Sequence, residues 1–371
     1  MGSKRKILHI VEAMGGGVFT YIVDLANELA KNYDVYIAYA VRRQTPADYK
    51  NYFDTRIQLI EVINFNRSIN VAKDVAVFFE ITRIAKEIKP DVIHLHSSKA
   101  GAIGRFAFSG RKVPLFYTPH GYSFLMQNTG FVKRKIYKLI ERICGKRVCT
   151  TISCSIGEYN ESKRITKSAV YVNNGINIDK LQNLVNELEM DKGYSFSVFT
   201  LGRISYQKNP ELFNEIALKF PDVRFLWIGD GELRHVLTAP NIEITGWLER
   251  QEALKYALVC EVFVLTSLWE GLPISLLEAM YMKKICVVSN VIGNRDVIRA
   301  NKNGFVCNEE REYVDAIQYI RNNNVGYIAE NAHEDILNIY NIKSMAKQYS
   351  TIYETAIRVC HEGRKFSMKG K

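Results

Sequence analysis

The feature that most constrains this chain is an alternation of short apolar strands with amphipathic helices. It runs through the N-terminal half, stops, and starts again. Lys6 to Val11 is predicted as a strand, and Gly15-Gly16-Gly17 follows. Thr20 to Lys31 then carries Ile22, Val23, Ala26, Leu29 and Ala30 on one helical face. Tyr33 to Ala40 alternates as a strand does. Asn70 is placed to cap a helix running to Ile88, and Pro90-Asp91 punctuates before a strand at Val92 to Leu95. Further strands are expected at Leu115–Thr118, Val148–Ser153 and Ala169–Val172. Alternation of this kind predicts a parallel sheet covered on both faces.

A polar, weakly periodic stretch at 179–194 is placed as a linker. Beyond it strands are predicted at 195–201, 223–228, 242–245, 262–265 and 285–288, with helices at 210–220, 250–257 and 273–282. The last stretch, Ile342 to about His361, reads as a helix bearing Met345, Tyr349, Ile352, Tyr353 and Ala356. The expected architecture is α/β, with two doubly wound Rossmann-like domains facing a central cleft. Residues 1–178 form the first, completed by the C-terminal helix 342–371, and residues 179–341 form the second. A length of 371 residues suits two cores of ordinary size.

Hydrophobic residues at 47% and charged residues at 24% are the balance of a soluble globular protein. No apolar run approaches the roughly 18–20 residues of a membrane-spanning helix. The basic start, Met1 to Lys6, leads into no signal-peptide core, and Lys6 stands where a myristoylation site needs Ser or Thr. The seven cysteines are scattered without a Cys-x-x-Cys pair, so buried thiols in a reducing cytosol are expected rather than disulfides or zinc. The net charge of +11 is unevenly shared. Residues 1–170 hold 27 Lys and Arg against 14 Asp and Glu, and the remainder holds 23 against 25. The basic excess belongs to the N-terminal half and needs an explanation there.

The segment richest in chemistry runs from Ser267 to Met280. A strand ends at Leu265, a turn carries Glu270 and Gly271, and Pro273 sits where the first position of a helix tolerates proline. Free backbone N–H groups at such a helix start, with the helix dipole, suit a diphosphate. Glu270 in the turn and Glu278 in the helix can accept hydrogen bonds from sugar hydroxyls. Solvated glutamates on an ordinary amphipathic helix are the alternative. Glu278 argues against it, because it is embedded in Leu276-Leu277-Glu278-Ala279-Met280, where an unpaired carboxylate is costly. Arg203 and Lys208 follow the end of another strand, where two cations can neutralise a leaving diphosphate. No Asp-x-Asp clamp for a metal–diphosphate occurs, so no metal is expected.

The Glu270-to-Glu278 segment resembles the Glu-x7-Glu element of the retaining GT-B glycosyltransferases, the family 4-like group of bacterial polysaccharide biosynthesis. Other segments resemble the same family in order. They are Asn173-Asn174-Gly175-Ile176, Gly202 to Glu211, Trp227 to Arg234, Thr245-Gly246-Trp247-Leu248, and the terminal Tyr349-x3-Tyr353 helix. The resemblance implies a nucleotide-sugar donor, expected to be UDP-linked, and retention of anomeric configuration. It implies that donor binding falls to Gly16, Gly17, Gly202, Arg203, Lys208, Gly229, Trp247, Leu248, Glu270, Gly271, Leu272, Pro273, Ile274 and Glu278. The base would lie near Trp247 and Leu248, the ribose on Glu278, and the diphosphate on Arg203, Lys208 and the amides after Gly271. The match of Pro119-His120-Gly121 to a family element gives His120 a contact with the donor sugar, beside Glu270. The resemblance makes Glu270, His120, Arg203 and Lys208 the catalytic set, with no separate protein base and no cofactor.

Gly15-Gly16-Gly17 is not a dinucleotide fingerprint, because Thr20 occupies the place of the last glycine. A plain tight turn and a loop approaching the ligand closely remain equal readings. His94-Leu95-His96 has alternating spacing but no third ligand nearby in sequence, and His96 with Lys99 is expected to line the acceptor side. Lys133, Arg134, Lys135, Lys138, Arg142, Lys146 and Arg147 fall on one predicted helix, interleaved with Ile136, Tyr137, Leu139, Ile140 and Ile143. A basic amphipathic stretch suits an anionic membrane surface or a polyprenyl-diphosphate acceptor. Nucleic acid is the rival, but no nucleic-acid motif accompanies the charge; a merely solvated face is the remaining alternative.

The expectation is a cytoplasmic transferase, peripheral at the inner face of the plasma membrane, that passes a sugar to a lipid-linked or saccharide acceptor in capsule, O-antigen or exopolysaccharide assembly. A sugar-nucleotide 2-epimerase of the same fold and a non-enzymatic basic surface-binding protein are the alternatives.

Overall fold

The computed structural model describes residues 4–12, 14–42, 45–66, 70–187 and 196–369, with side chains of the terminal helix described to Glu362. The chain divides into two compact units. One comprises residues 1–125, 130–174 and 342–371, and the other residues 126–129 and 175–341.

The first unit holds strands β1 (Lys6–Val11), β2 (Asp34–Tyr39), β3 (Gln58–Glu61), β4 (Val92–His96), β5 (Leu115–Thr118), β6 (Thr150–Ser153) and β7 (Ala169–Tyr171). All pair in parallel, in the order β3-β2-β1-β4-β5-β6-β7. Between them lie α1 (Gly16–Leu29), α2 (Val71–Ile88), α3 (Ser98–Ala107), α4 (Phe131–Cys144) and α5 (Ile156–Lys163). Strand alternation sorts the faces. Leu8, Ile10, Ile93, Leu95, Leu115 and Tyr117 share a core with Val77, Ile81 and Ile84 of α2 and Ala100 of α3. Ile7, Val11, Ile37 and Phe116 share the other with α1 and with Met345, Tyr349 and Tyr353 of the terminal helix, Ile342–Lys369. Strands buried on both faces are largely apolar, which is why β1 reads as an apolar run interrupted only by His9 after Lys6. Each such side chain contributes roughly 1.5–3 kcal/mol on burial. The expected cap of α2 is present: the Asn70 side chain accepts from the Lys73 amide at 3.0 Å, and Lys89 closes the helix in the left-handed region before Pro90.

The second unit opens with α6 (Ile178–Glu187), then β8 (Ser197–Leu201), α7 (Pro210–Leu218), β9 (Arg224–Ile228), β10 (Ile242–Ile244), α8 (Arg250–Leu258) and β11 (Val262–Leu265). It continues through α9 (Ile274–Tyr281), β12 (Ile285–Ser289), α10 (Asn294–Val297), β13 (Phe305–Cys307), α11 (Glu310–Asn322) and α12 (Gly326–Asn338). Its parallel order is β10-β9-β8-β11-β12-β13. Phe213 and Ile216 of α7 and Tyr313 and Ile317 of α11 pack on Val198, Phe225, Val262 and Val287.

The structure corrects the expected linker. Its first part is the helix α6, which buries Leu181 and Leu184, and the Tyr281 hydroxyl donates to Gln182 Oε1 at 2.7 Å. Two leucines three residues apart with polar neighbours were too short a pattern to stand out from loop composition. Residues 188–195 lie outside the described residues. Helix α1 starts at Gly16, four residues before the periodic pattern, so Gly16 and Gly17 form its first turn. Helix α4 ends at Cys144, which leaves Lys146 and Arg147 beyond it.

No described helix is long and apolar enough to cross a membrane. None of the seven cysteines is in a disulfide, and burial pushes the Cys149 and Cys307 thiols up to about 12.

Candidate active site

In a doubly wound sheet, ligands bind beyond the carboxyl ends of the strands, where the strand order reverses. In the second unit that point lies between β8 and β11. The loop after β8 carries Gly202, Arg203, Gln207 and Lys208, and the loop after β11 carries Ser267 to Pro273. Backbone and side chains staple the two loops: Leu268 N–H donates to Gln207 O at 2.8 Å, and the Thr266 hydroxyl donates to Lys208 O at 2.7 Å. This holds Lys208 against Glu270. The Lys208 ammonium lies 2.7 Å from Glu270 Oε1, which also accepts from the Ser267 hydroxyl at 2.7 Å. Gln207 Nε2 donates to Glu270 Oε2 at 3.3 Å and to Trp269 O at 2.9 Å. Both charges are largely buried, so each depends on the other and on these neutral donors. Such a pair can open toward a ligand, presenting a cation to phosphate and a carboxylate to hydroxyl groups.

Arg203 lies in the same loop, its guanidinium 2.9 Å from Glu232 in a half-exposed pair. Pro273 is the cap of α9 and Ile274 its first helical residue, one position later than expected. Gly271, Leu272, Pro273 and Ile274 are all buried. Glu278 is 1% exposed, and the carboxylate that needed a partner has one in the Arg250 guanidinium at the start of α8. Arg250 lies 28 residues away in sequence and gave no local sign of this role.

Gly229, at φ 135°, sits where an added Cβ would lie 2.3 Å from Gly202 O, so the turns after β8 and β9 touch through backbone alone. Its amide donates to the Thr245 hydroxyl at 3.1 Å, tying in the turn that carries Gly246, Trp247 and Leu248. Trp247 is 59% exposed, a large aromatic surface open to a ligand. Sequence reasoning missed Gly293, whose Cβ would lie 2.4 Å from Gly271 O. It also missed the support behind it: Asn294 Nδ2 donates to Ser289 Oγ at 3.0 Å, and that hydroxyl donates to Ser267 O at 2.6 Å.

In the first unit the strand order reverses between β1 and β4. His9, His94 and His96 face the side covered by α1 and the terminal helix, and all three are fully buried. His120 follows β5 at φ 55°, with its Nε2 3.0 Å from His96 Nδ1. Its neighbour Gly121 donates its amide to Glu158 Oε1 at 2.7 Å, while Glu158 Oε2 accepts from Cys154 N–H at 2.8 Å. Burial pushes His9 and His120 down to about 3, and burial, together with neighbouring histidines, holds His94 and His96 well below the ordinary value. The cluster is therefore uncharged at neutral pH.

The Lys99 ammonium is 2.7 Å from Asp74 and 2.8 Å from both the backbone and side-chain oxygens of Asn66, holding α3 against α2. Gly16 and Gly17 have no atoms within 4 Å of where a Cβ would stand, so open space surrounds them. Helix α4 is pinned from below by Glu141, which accepts from Arg105 at 2.7 Å and from the Tyr117 hydroxyl at 2.9 Å in the buried core. Its outer surface exposes Phe131, Val132, Ile136, Leu139 and Ile143 among Lys133, Lys135, Lys138 and Arg142. Arg134 donates instead to Phe124 O at 3.0 Å.

The family described as Glycosyltransferase Family 4 matches residues 15–180, and that described as glycosyl transferases group 1 matches residues 183–336. The UDP-Gal:alpha-D-GlcNAc-diphosphoundecaprenol alpha-1,3-galactosyltransferase of Escherichia coli is 30% identical over 336 residues, covering 82% of this chain and 85% of its own. An alpha-1,4-N-acetyl-D-galactosaminyltransferase of Campylobacter jejuni, acting on a GalNAc-containing undecaprenol diphosphate, is 24% identical over 367 residues, 93% of this chain and 94% of its own. Among solved structures, the sucrose-phosphate synthase of Thermosynechococcus elongatus matches with a TM-score of 0.80 over 96% of this chain and 100% of that one, at 15% identity. Anabaena HepE in complex with UDP and glucose matches with a TM-score of 0.75 over 95% and 100%, at 16% identity. The fold is GT-B.

Proposed function

The chain belongs to the family 4 and group 1 glycosyltransferases, and on that premise we propose that it is a retaining enzyme that moves a sugar from a UDP-sugar to a polyprenyl-diphosphate-linked saccharide in bacterial surface polysaccharide synthesis. The observation that carries this reading is the Lys208–Glu270–Ser267 cluster at the strand-order reversal of the second unit. On binding, Lys208 and Arg203 take the donor diphosphate and Glu270 turns to the sugar hydroxyls. Glu278, held by Arg250, meets the ribose, and Trp247 with Leu248 meets the base. Metal-free departure follows from cations that belong to the protein itself. The bond from sugar C1 to the phosphate oxygen breaks, the acceptor oxygen bonds to C1 on the same face, and the departing phosphate oxygen takes the acceptor proton.

The acceptor class rests on the named substrates of the relatives from Escherichia coli and Campylobacter jejuni. The outer face of α4 fits it, because apolar side chains flanked by lysines suit an anionic bilayer carrying such a lipid. The location this reading implies is cytoplasmic, peripheral at the inner face of the membrane. Flotation with vesicles containing anionic lipid tests the surface: binding at low salt that is lost on reversing Lys133, Lys135 and Lys138 is expected, and no binding would reject it.

The donor is tested by thermal shift against UDP, GDP, ADP and CMP, with EDTA and with magnesium. UDP at about a hundred times its dissociation constant adds roughly 2.7 kcal/mol of stability. A shift with UDP alone, unchanged by EDTA, is the expected result. A shift with another nucleotide alone, or one requiring magnesium, rejects the donor assignment.

A further inference from the structure

The histidines of the first unit form a chain whose polarity can be worked out. His9 Nδ1 lies 2.9 Å from His96 Nε2, and His96 Nδ1 lies 3.0 Å from His120 Nε2. The ring planes of the outer pair lie 20° apart with centroids at 5.3 Å, a geometry that accommodates an in-plane N–H···N bond. An uncharged imidazole carries one proton, so the chain can run in only two directions. If His120 donates inward from Nε2, each ring passes its donor along and His9 ends with an N–H on Nε2. If His9 donates outward from Nδ1, His9 Nε2 is left as a bare lone pair and His120 carries its proton on Nδ1.

The buried end decides between them. His9 is fully buried, and its Nε2 has no hydrogen-bond partner among the described residues. An orphaned buried N–H is rarer than an under-satisfied acceptor, so the outward direction prevails. His94 stands beside the chain without breaking it, because its nitrogens are engaged by the Tyr353 hydroxyl at 2.6 Å and the Thr118 hydroxyl at 2.9 Å. A metal held by His9, His94 and His96, whose ligand atoms lie within 4.8 Å of one another, would have to break these bonds. Among the described residues the His120 ring has one hydrogen bond, to His96, beside an edge contact with the Tyr21 ring, so Nδ1 is left for a ligand.

We propose that His9 and His96 are positioning residues that fix the proton of His120 on Nδ1, making that nitrogen a hydrogen-bond donor to a hydroxyl of the transferred sugar. This rests on the reading of His120 as a sugar contact. The free imidazole prefers its proton on the other nitrogen, so the chain imposes a tautomer that His120 would not adopt alone. The arrangement also spares the site a charge: a neutral donor discriminates hydroxyl geometry without attracting the diphosphate.

Long-range 1H–15N correlation on the ligand-free, 15N-histidine-labelled protein reads the tautomers directly. The expected result is Nδ1–H for His9, His96 and His120. The His9→Leu variant removes the first donor, so His120 should revert to Nε2–H and kcat fall roughly tenfold, no further than in His120→Ala, with KM for the donor little changed. His9→Asn, whose amide can stand in for Nδ1–H, should restore the His120 tautomer and recover most of that loss. Nε2–H on His120 in the unmodified protein would overturn the proposal, as would stoichiometric metal in the purified protein. The spectrum of the unmodified protein therefore tests the proposal even if the variants fail to fold. Expected tautomers combined with full activity of His120→Ala would overturn the sugar contact while leaving the chain in place, which separates the two failures.

Discussion

The two sheet ends that hold the candidate site residues are built from opposite materials. At the reversal point of the second unit the polar groups are ions held in pairs, Lys208 with Glu270, Arg203 with Glu232 and Arg250 with Glu278. At the corresponding point of the first unit they are imidazoles kept neutral by burial. The same topology thus presents two chemically different surfaces. Paired charges can be redistributed when a charged diphosphate arrives, whereas neutral donors and acceptors meet hydroxyl groups without the desolvation penalty of an ion.

The largest expected effect that separates them is acid sensitivity. Burial lowers the folded pKa of His9, His94, His96 and His120 below the unfolded value of 6.5. Their contribution is therefore present above pH 6.5 and lost as pH falls, toward about 3 for His9 and His120, because unfolding then takes up protons. Each imidazole costs up to about 1.4 kcal/mol per pH unit in that window. Hydrogen exchange at pH 7 and pH 5, corrected for intrinsic rates, should show β1, β4 and β5 losing protection before β8 and β11. Equal losses in both sheets would break the comparison.

Next in size, Lys208→Ala and Glu270→Gln should each lower kcat by roughly a hundred- to a thousandfold in transfer from UDP-sugar while circular dichroism is unchanged. His120→Ala should lower kcat by roughly ten- to a hundredfold, with the salt dependence of donor affinity kept. A salt dependence that moves as much in His120→Ala as in Lys208→Ala would show that the first unit also carries a charge-dependent contact. The smallest effect belongs to Arg203→Ala, where loss of an exposed ion pair should change stability by about 0–1 kcal/mol, although the UDP-induced thermal shift shrinks.

Much of the fold was legible because its signals are local. Apolar alternation placed β1, β4, β5, β9 and β11 to within a residue or two, and Asn70 and Pro90 marked the ends of α2. The short strands β3 and β13 were not found from the sequence pattern. Family resemblance brought Lys208, Glu270, Glu278 and His120 forward by their motifs. The partners of Lys99, Asp74 and Asn66, were not legible, because a lysine near a strand end reads alike whatever it meets. Arg250, Gly293 and Glu158 were missed because each acts on a loop distant in sequence.

The sequence by itself determined the period of the longer elements, the two parallel sheets, the order of the motifs and the basic excess of the N-terminal half. These depend on residues a few positions apart. Tertiary structure alone decided which charges became partners and which histidines became one chain. His9 and His96 are 87 residues apart and meet because the parallel register sets His9 beside His94 and Val11 beside His96, on the face that the terminal helix covers. That face excludes water, and the exclusion of water turns an ordinary histidine into an uncharged link with a single place for its proton.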